Sequence, residues 1–469
     1  MTAIALSTKF HSSSSSPLSS NSTINTLDDD SLLKELPYHP TTADNDPLFS
    51  FDTDELLSNI HPSTNLPLDG FLNFHSLKIA TSNAKTLSKF FVLGFGFEEI
   101  AYKGLETGSK LLASHVLRNG SIIIEVTNSL ESILNDSQLE NFDQEENKSD
   151  IIDLISMENY LDKHCDGGVM DVSFLVVDVH SIFTNAVENG AIPVKSPRLI
   201  HDSNGAIKIA TIGVPNIDIQ HTLMENINYN GPYLPNYRSI GTMPQINLPP
   251  TCVTVLDHCV ENYTFNEMEE QARLYASIFK FHKFWSIDES DINTGHTSLN
   301  SVVMSSSNER IKIPINEPVK TKYKSQIEEF NDFNGGNGIQ HIALRTNDII
   351  NTVMNLKTRG IEFNKVTNKY YENLEARMKE DDIIIEEDFE ILKKLNILID
   401  YDIGSKSKKS KRVNYLLQIF TKPLHDKPTL FIEIIQRHHH DGFGKGTFKG
   451  LFESIELQQK LRGTFVKTK

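Results

Sequence analysis

The chain has 469 residues and a mass of 53.0 kDa, with 38% hydrophobic and 23% charged residues, so it exceeds one small module and has the composition of a folded protein. Its net charge of −17 excludes a general basic surface, and we expect no nucleic-acid partner. Three cysteines without a CxxC pair exclude a disulfide framework and a cysteine-based zinc site, and no apolar run is long enough to span a bilayer.

Residues 1–69 differ in composition from the rest of the chain. Thirteen of the first 26 residues are Ser or Thr and none is acidic, whereas acidic residues dominate the remainder of the segment. The segment has too little apolar content to offset the entropy of ordering it, so we predict a disordered low-complexity extension. A hydroxyl-rich start also occurs in organelle transit peptides, but arginine is absent here. We therefore expect a cytoplasmic protein, with an organelle as the alternative.

From residue 71 onward a pattern of an apolar strand followed by an amphipathic helix occurs four times. The helices are predicted to stop near Gly94, Gly190, Phe281 and Gly360, and the third has a capping-box pattern that opens at Asn266. Alternating strand-like runs follow each helix. The four leading strands read FHSLKIA, VMDVSFLVV, VTVLDHCV and GIQHIALRT.

Four β-α-β-β-β units, two to a domain, are the simplest assembly of this pattern. It predicts an α+β fold with curved mixed sheets or open barrels, an N-terminal domain over 70–240 and a C-terminal domain over 241–469. The Pro-containing stretch 240–250 is the expected linker. Two charged stretches, the acidic 135–163 and the basic 404–412, read as surface insertions with solvated charges.

Three residues with metal-binding side chains fall at matching points of the C-terminal repeats. His258 lies on the first strand of one unit, His341 on the matching strand of the next, and Glu433 on the late strand TLFIEII. Two imidazoles and one carboxylate are the ligand set of a facial non-haem Fe(II) site, and a carboxylate among apolar residues is costly to bury without a partner. In the N-terminal half we expect His75, Asp171 and Glu225 at the equivalent positions, without the second imidazole.

Other residues allow both an ordinary and a functional interpretation. A lone histidine on an apolar strand is usually a satisfied core residue, and the tract from His438 to His440 is more typical of an exposed loop than of a metal site. GFGKG from Gly442 lacks the spacing of a phosphate-binding loop and reads as a hinge before a helix. The apolar face of that terminal helix predicts core packing, and a lid over the site is the sharper alternative. This face consists of Phe448, Leu451, Phe452 and Ile455.

The chain resembles the 4-hydroxyphenylpyruvate dioxygenase family, a branch of the vicinal oxygen chelate superfamily, from about residue 71 to 463. The resemblance implies that His258, His341 and Glu433 bind iron, that Phe420 and Phe443 clamp an aromatic ring, and that a lid helix begins at Phe448. The polar active-site set that the family implies is Ser301, Asn316, Gln326, Gln340 and Gln418. The strings that carry the resemblance are YKGLETGSK, LMENINYNGPYLP, FKFHKFWSID, PINEP, KSQI, GIQHIAL, LLQIFTKP, TLFIEIIQR and GFGKGTFKGLF.

The resemblance also implies that the N-terminal domain is structural and the C-terminal domain catalytic, and it implies the reaction. Such an enzyme converts 4-hydroxyphenylpyruvate and O2 to homogentisate and CO2 with Fe(II), in tyrosine and phenylalanine breakdown, and forms homodimers or homotetramers; we expect a homodimer. One alternative is a hydroxymandelate synthase, which binds the same substrate but hydroxylates its benzylic carbon, and a large aromatic residue at Phe448 favours attack on the ring instead. The other alternative is a non-catalytic binding protein on the same scaffold.

Overall fold

The computed structural model describes residues 66–130, 145–241, 247–288, 296–406 and 411–468. Residues 1–65 of the predicted disordered extension lie outside the described chain. Residues 66–69, which we assigned to the extension, belong to the folded chain, because the carboxylate of Asp69 accepts hydrogen bonds from Ser307 N and Oγ at 2.6 and 2.9 Å. Within the described chain, no helix is long and apolar enough to cross a membrane.

The described residues before 240 form one nine-stranded mixed sheet, in the order β6-β7-β8-β5-β1-β4-β3-β2-β9. Strands β1 and β5 pair antiparallel and join the two units, whereas β1 with β4 and β5 with β8 pair parallel within each unit. The strands are β1 (Phe71–Ala80), β2 (Glu98–Lys103), β3 (Leu112–Asn119), β4 (Ile122–Ser129), β5 (Gly168–Val176), β6 (Ile192–Asp202), β7 (Gly205–Gly213), β8 (Gln220–Asn226) and β9 (Arg238–Ser239).

The described residues after 250 repeat this arrangement in an eight-stranded sheet, ordered β11-β12-β13-β10-β14-β17-β16-β15. Here β10 and β14 form the antiparallel join, and β14 pairs parallel with β17. The predicted linker lies between the sheets, and its residues 242–246 are outside the described chain. The strands are β10 (Val253–Asn262), β11 (His282–Ile287), β12 (Leu299–Ser305), β13 (Lys312–Pro318), β14 (Gly338–Thr346), β15 (Leu398–Asp402), β16 (Asn414–Phe420) and β17 (Phe431–His438).

One helix follows the first strand of every unit, as predicted, and further helices are inserted between strands. The four unit helices are α1, α3, α4 and α6, so the paired β-α-β-β-β prediction and the α+β class are confirmed. The helices are α1 (Ala84–Phe95), α2 (Glu145–Lys163), α3 (Val179–Glu188), α4 (Met268–Phe279), α5 (Gln326–Asn334), α6 (Ile349–Thr358), α7 (Asn368–Glu380), α8 (Phe389–Leu395) and α9 (Phe448–Arg462).

The capping box predicted at Asn266 is wrong. Asn266 adopts a left-handed backbone with φ of 65°, and α4 begins two residues later at Met268. Glu267 holds the cap position and its side chain makes no capping hydrogen bond. Asn266 therefore lies in a turn before the helix and does not hold the position from which a side chain caps α4.

The acidic stretch 135–163 is not simply a solvated insertion. Its described part forms α2, in which Leu154, Met157 and Tyr160 are buried against the first sheet. On the same helix the carboxylates of Asp150 and Asp153 accept hydrogen bonds from Lys103 and Lys195; these residues pair at 2.7 and 2.6 Å. The acidic residues therefore serve as counter-ions of strand lysines. Residues 135–144 lie outside the described chain.

The basic stretch 404–412 connects β15 and β16 and pairs with acidic residues after α7. Lys411 contacts Asp382 at 2.5 Å and Arg412 contacts Glu386 at 3.1 Å. These pairs are exposed, so each stabilises the fold by less than about 1 kcal/mol. Residues 407–410 lie outside the described chain.

An aromatic cluster connects the two sheets. Phe71 on β1 packs edge-on against Phe174 on β5, and also against Phe279 and Phe281, which end and follow α4, with ring centroids 4.9 to 5.5 Å apart. All four rings are at most 2% exposed. Edge-to-face contacts of this kind add to the large apolar area that each ring buries. The cluster thus fixes the second sheet against the first.

Candidate metal centre and active site

The three predicted ligands meet on one face of the second sheet, where β10, β14 and β17 are neighbours. His258 lies opposite Ala343 across the antiparallel pair, and Glu433 lies beside Ala343 across the parallel pair. His341 is two residues from Ala343 along β14, so it points to the same face. The ligand atoms of His258, His341 and Glu433 lie within 4.8 Å of one another.

The imidazole of His258 is oriented by its own neighbour in the chain. The register of β10 against β14 shifts between Leu256 and His258, which makes Asp257 the extra residue of a β-bulge. His258 Nδ1 donates to Asp257 Oδ1 at 2.8 Å, because a carboxylate can only accept. His258 Nε2 is thereby directed toward Glu433 Oε2, 3.2 Å away.

The imidazole of His341 is likewise oriented by the residue that precedes it in the chain. His341 Nδ1 donates to Gln340 Oε1 at 3.2 Å, and Nε2 lies 3.3 Å from Glu433 Oε2. Phe431 stacks on the ring with centroids 4.8 Å apart. Both histidines therefore present Nε2 to the same carboxylate.

Two of the three side chains have charge states that suit a metal ion. Burial opposes ionisation of Glu433, but the attraction and polar contacts of His258 and His341 outweigh it and lower its pKa to about 2. Burial lowers the pKa of His341, so this ring is neutral and can ligate. Burial opposes protonation of the third, His258, but the attraction of Glu433 and the contact with Asp257 raise its pKa. Glu433 Oε1 is buried and has no hydrogen-bond partner in the described chain. A buried carboxylate with Oε2 facing two imidazole nitrogens and Oε1 unpartnered fits a divalent cation that prefers nitrogen and oxygen ligands.

The predicted polar residues fall into separate groups, and all are buried. Ser301 and Asn316 lie directly opposite each other on β12 and β13, and Asn316 Nδ2 donates to Asn262 Oδ1 at 3.3 Å. Gln326, the first residue of α5, and Gln340 line one cavity of about 40 Å³. Because Gln340 Oε1 is engaged with His341, only its amide N–H groups are free for a substrate.

The remaining predicted residues lie at β16 and at the start of α9. Gln418 Nε2 donates to the hydroxyl of Thr447, the residue directly before α9. Gly444, in the GFGKG segment, has φ of 90°, and a Cβ there would collide with Gln418 and Thr447. This close approach explains a glycine before the helix. Helix α9 begins at Phe448, whose side chain is outside the described residues.

The two aromatic residues each lie beside one imidazole. The Phe420 ring is 5.9 Å from that of His341, and the Phe443 ring is 5.1 Å from that of His258. Trp285 packs against the other side of Phe443 at 5.6 Å. An aromatic substrate that reached the candidate metal centre would therefore meet aromatic surfaces next to both histidines.

Comparison with known proteins places this site in a family. The chain is 44% identical to the 4-hydroxyphenylpyruvate dioxygenase of Coccidioides posadasii, over 87% of this chain and 98% of the relative. It is 46% identical to a protein of that name from Aspergillus fumigatus, over 82% of this chain and 92% of the relative. For the protein of that name from Xenopus tropicalis the identity is 42%, over 84% and 93%. The chain belongs to the 4-hydroxyphenylpyruvate dioxygenase family.

The wider comparisons agree with this 4-hydroxyphenylpyruvate dioxygenase family. Residues 255–387 match the model of the Glyoxalase/Bleomycin resistance protein/Dioxygenase superfamily. A triple mutant of 4-hydroxymandelate synthase from Streptomyces coelicolor superposes with a TM-score of 0.67 at 25% identity, over 83% of this chain and 99% of that structure. The paired, curled mixed sheets are thus those of the vicinal oxygen chelate fold.

Two of the residues that we predicted in the N-terminal half as counterparts of the C-terminal ligands are wrong. Strands β1 and β5 repeat the pairing and the bulges of β10 and β14, so Ser76 and not His75 matches His258, whereas Asp171 matches His341. The register of β5 with β8 places Thr222, and not Glu225, at the position of Glu433. His75 occupies the bulge position of Asp257, which a repeat alignment without the bulge geometry cannot resolve.

The matched N-terminal residues satisfy one another without a metal. Asp171 accepts hydrogen bonds from Thr222 Oγ1 at 2.6 Å and from Ser173 Oγ at 2.7 Å. Burial raises the pKa of Asp171 against the attraction of Lys78. Lys78 sits where the C-terminal half has Val260 and approaches Glu125 at 3.5 Å. A lysine at this point supplies the positive charge that a cation would otherwise bring.

Sequence reasoning missed the residues that support the ligands. Asp257 and Arg437 orient His258, Phe431 stacks on His341, and Asn262 holds Asn316. Asp257 and Gln340 directly precede a histidine ligand, and adjacency to a ligand is the signal that could have marked them. Arg437 lies four residues beyond Glu433, and periodicity alone gives no reason to connect it with His258.

Proposed function

We propose that this chain is a dioxygenase that uses Fe(II) to convert 4-hydroxyphenylpyruvate and O2 to homogentisate and CO2, in tyrosine and phenylalanine catabolism. Relatives from fungi and vertebrates that share 42–46% identity over most of the chain are named for this activity. The observation that carries the proposal is the buried group of two imidazoles and one carboxylate whose ligand atoms lie within 4.8 Å.

His258, His341 and Glu433 would hold the iron. Bound Fe(II) supplies coordination of the α-keto acid and activation of O2. Because three protein ligands of this kind leave open positions, substrate and oxygen can both reach the ion. Asp257 and Gln340 keep each histidine in the tautomer that presents Nε2, as such supporting groups generally do at metal sites.

The other predicted residues would bind and orient the substrate. The amide N–H groups of Gln340, and the one N–H of Gln418 that Thr447 does not use, can donate to the oxygens of the keto acid. Phe420 and Phe443 would flank the aromatic ring. Helix α9, with Phe448 at its start, would exclude water from the reacting centre. At the far end of the pocket we assign the phenol to Ser301, Asn316 and Gln326.

Oxygen uptake, CO2 release and product identity test the proposal directly. Purified chain loaded with Fe(II) and given 4-hydroxyphenylpyruvate with ascorbate should consume O2, release CO2 and form homogentisate. Glu433→Gln should abolish this turnover together with metal retention. The matched control is Glu225→Gln, which alters a glutamate paired with Lys208 in the N-terminal half and should keep activity.

The same assay separates the two alternatives. A hydroxymandelate synthase activity is favoured by the structural match to such an enzyme, although the identity there is 25% against 42–46% for the dioxygenases. Formation of 4-hydroxymandelate would establish that alternative. A folded, iron-loaded chain that binds the substrate without consuming O2 would instead support the binding-protein alternative.

We also propose a homodimer and a cytoplasmic location. The homodimer rests on the family, and the cytoplasmic location rests on the composition of the N-terminal extension. Sedimentation equilibrium of the full chain should give twice the 53.0 kDa monomer mass. Fractionation of cells that express the full chain should recover it outside the organelles, and recovery of a shortened chain inside an organelle would contradict this.

A further inference from the structure

Arg437 is a buried arginine that makes a two-point contact with Asp257. Its Nε donates to Asp257 Oδ2 at 2.9 Å and its Nη2 donates to Oδ1 at 2.8 Å. Both side chains are about 5% exposed or less. Two parallel hydrogen bonds between a guanidinium and a carboxylate fix the plane of the carboxylate as well as its position. Arg437 therefore determines how Asp257 faces the rest of the site.

Asp257 transmits this orientation to the candidate metal centre. Its Oδ1 accepts both from Arg437 Nη2 and from His258 Nδ1. An imidazole whose Nδ1–H is fixed in this way has its ring plane and its Nε2 fixed too.

The third nitrogen of Arg437 holds a different part of the site. Nη1 donates to the backbone carbonyls of His440 and Gly442, at 2.9 and 2.6 Å. These residues immediately precede Phe443, and the Phe443 ring lies over the guanidinium, 5.2 Å from its carbon. The same guanidinium therefore contacts the support of a metal ligand and the segment that carries an aromatic side chain of the pocket.

We infer that Arg437 is a positioning residue that couples the metal-ligand geometry of His258 to the placement of Phe443. This inference deepens the proposed function and rests on it. The hydrogen bonds of Arg437 in the described chain go to Asp257, His440 and Gly442 and not to the metal-ligand side chains, so it acts through Asp257 and through the 440–443 backbone. Lysine cannot replace it, because one ammonium group cannot satisfy the carboxylate plane and two carbonyls in this fork geometry.

Cobalt binding gives a test that needs no turnover. Co(II) is added to metal-free full-length wild type, Arg437→Gln, Arg437→Lys and Asp257→Asn, and affinity is read from the visible absorption of the bound ion. Arg437→Gln and Asp257→Asn should each weaken Co(II) binding about 10- to 100-fold and alter the absorption bands. The double variant Arg437→Gln/Asp257→Asn should lose little more Co(II) affinity than either single variant, because both substitutions break the same connection between Arg437 and His258.

Trp285 reports the second half of the coupling. It is the chain's only tryptophan and packs 5.6 Å from Phe443. Arg437→Lys keeps one contact to Asp257, so its loss of Co(II) affinity should be smaller than that of Arg437→Gln. Its tryptophan emission should nevertheless shift, because the carbonyls of the 440–442 segment lose their donor.

The control is Arg359→Gln. Arg359 also donates to backbone carbonyls, those of Pro249, Val92 and Leu93, but it lies away from the metal centre. It should lower thermal stability without changing Co(II) affinity or Trp285 emission. If Arg437→Gln and Arg437→Lys behave like this control, Arg437 is structural only and the inference is overturned. A wild type that binds no Co(II) would overturn the proposed metal site itself, and this inference with it.

Discussion

A buried glutamate outside the metal group shows how single residues set the charge balance of this chain. Glu261 on β10 is fully buried, 2.7 Å from the hydroxyl of Tyr275 and 2.8 Å from that of Tyr263. Tyr275 also contacts His221 Nε2 at 3.0 Å, while His221 Nδ1 donates to the Val172 carbonyl. Burial lowers the pKa of His221 to about 4, so the ring is neutral and its Nε2 must accept.

This chain of contacts favours a proton on Glu261. Tyr275 has one O–H for two possible acceptors, His221 Nε2 and Glu261 Oε1, so the contact with Glu261 is stronger when the carboxyl group is protonated. Burial acts in the same direction and raises the pKa of Glu261 to about 7. Since the ordinary value is 4.5, the unfolded chain loses this proton first as pH rises.

Glu261→Gln is therefore expected to stabilise the protein at high pH. Folding of the wild type becomes less favourable between about pH 4.5 and 7, by on the order of 3 kcal/mol in total, because only the unfolded state ionises freely in that range. Glutamine keeps the donor and carries no charge. Urea unfolding should show little difference between the two proteins at pH 4.5 and a clear gain for the variant at pH 8. An equal difference at both pH values would refute the protonated state.

At this scale the sequence predicted the metal group but not its surroundings. His258, His341 and Glu433 can be found because equivalent strands of a repeat place them alike. Two of the three N-terminal counterparts were assigned to the wrong residues. His75 is one residue from the true position because the bulge in β1 shifts the strand phase, and Glu225 on β8 is three residues from it. A bulge depends on backbone pairing across strands, which side-chain alternation along one strand does not record.

Helix α2 shows an element whose stability comes mainly from its contacts. Its sequence is acidic and weakly amphipathic, so it did not stand out beside the four unit helices. The helix packs Leu154 and Met157 onto the first sheet, and its acidic residues meet Lys103 and Lys195. Regular, strongly amphipathic helices were predicted to within a few residues, whereas this one depends on partners distant in sequence.

A pair of neighbouring positions on α2 tests its packing. Leu154 is fully buried and Ile155 is 47% exposed. Leu154→Ala should lower the free energy of unfolding by about 2 to 4 kcal/mol, because it removes buried methyl groups and leaves a cavity. Ile155→Ala should change it by less than about 1 kcal/mol. Denaturant unfolding of both variants measures the difference, and equal losses would mean that α2 does not pack as described.

At the scale of the whole molecule, the two sheets depend on one shared aromatic cluster. The paired-unit architecture follows from the repeat in the sequence, but the contact between the sheets does not, because isolated phenylalanines near strand and helix ends give no periodic signal. Phe71 and Phe174 come from the first sheet, whereas Phe279 and Phe281 lie next to the second. Neither sheet buries these rings without the other.

Phe279→Ala should therefore weaken the whole described fold rather than one half. The expected loss is about 3 to 5 kcal/mol, with a single unfolding transition seen alike by far-UV circular dichroism and by Trp285 fluorescence. The matched control is Phe333→Ala, at a phenylalanine of α5 that is 39% exposed, and it should cost far less. Two separate transitions in the wild type would show that the sheets unfold independently.

The bulge at Asp257 has a consequence for how such a centre can be assembled. In a regular strand, neighbouring side chains project to opposite sides, so residue 257 would turn away from the ring at residue 258. Because Asp257 is inserted in the strand, two successive side chains can act at the same site: His258 as the proposed ligand and Asp257 as the residue that orients it. Deletion of the bulge residue would remove this arrangement, and the group that accepts from His258 Nδ1 would have to come from elsewhere in the chain.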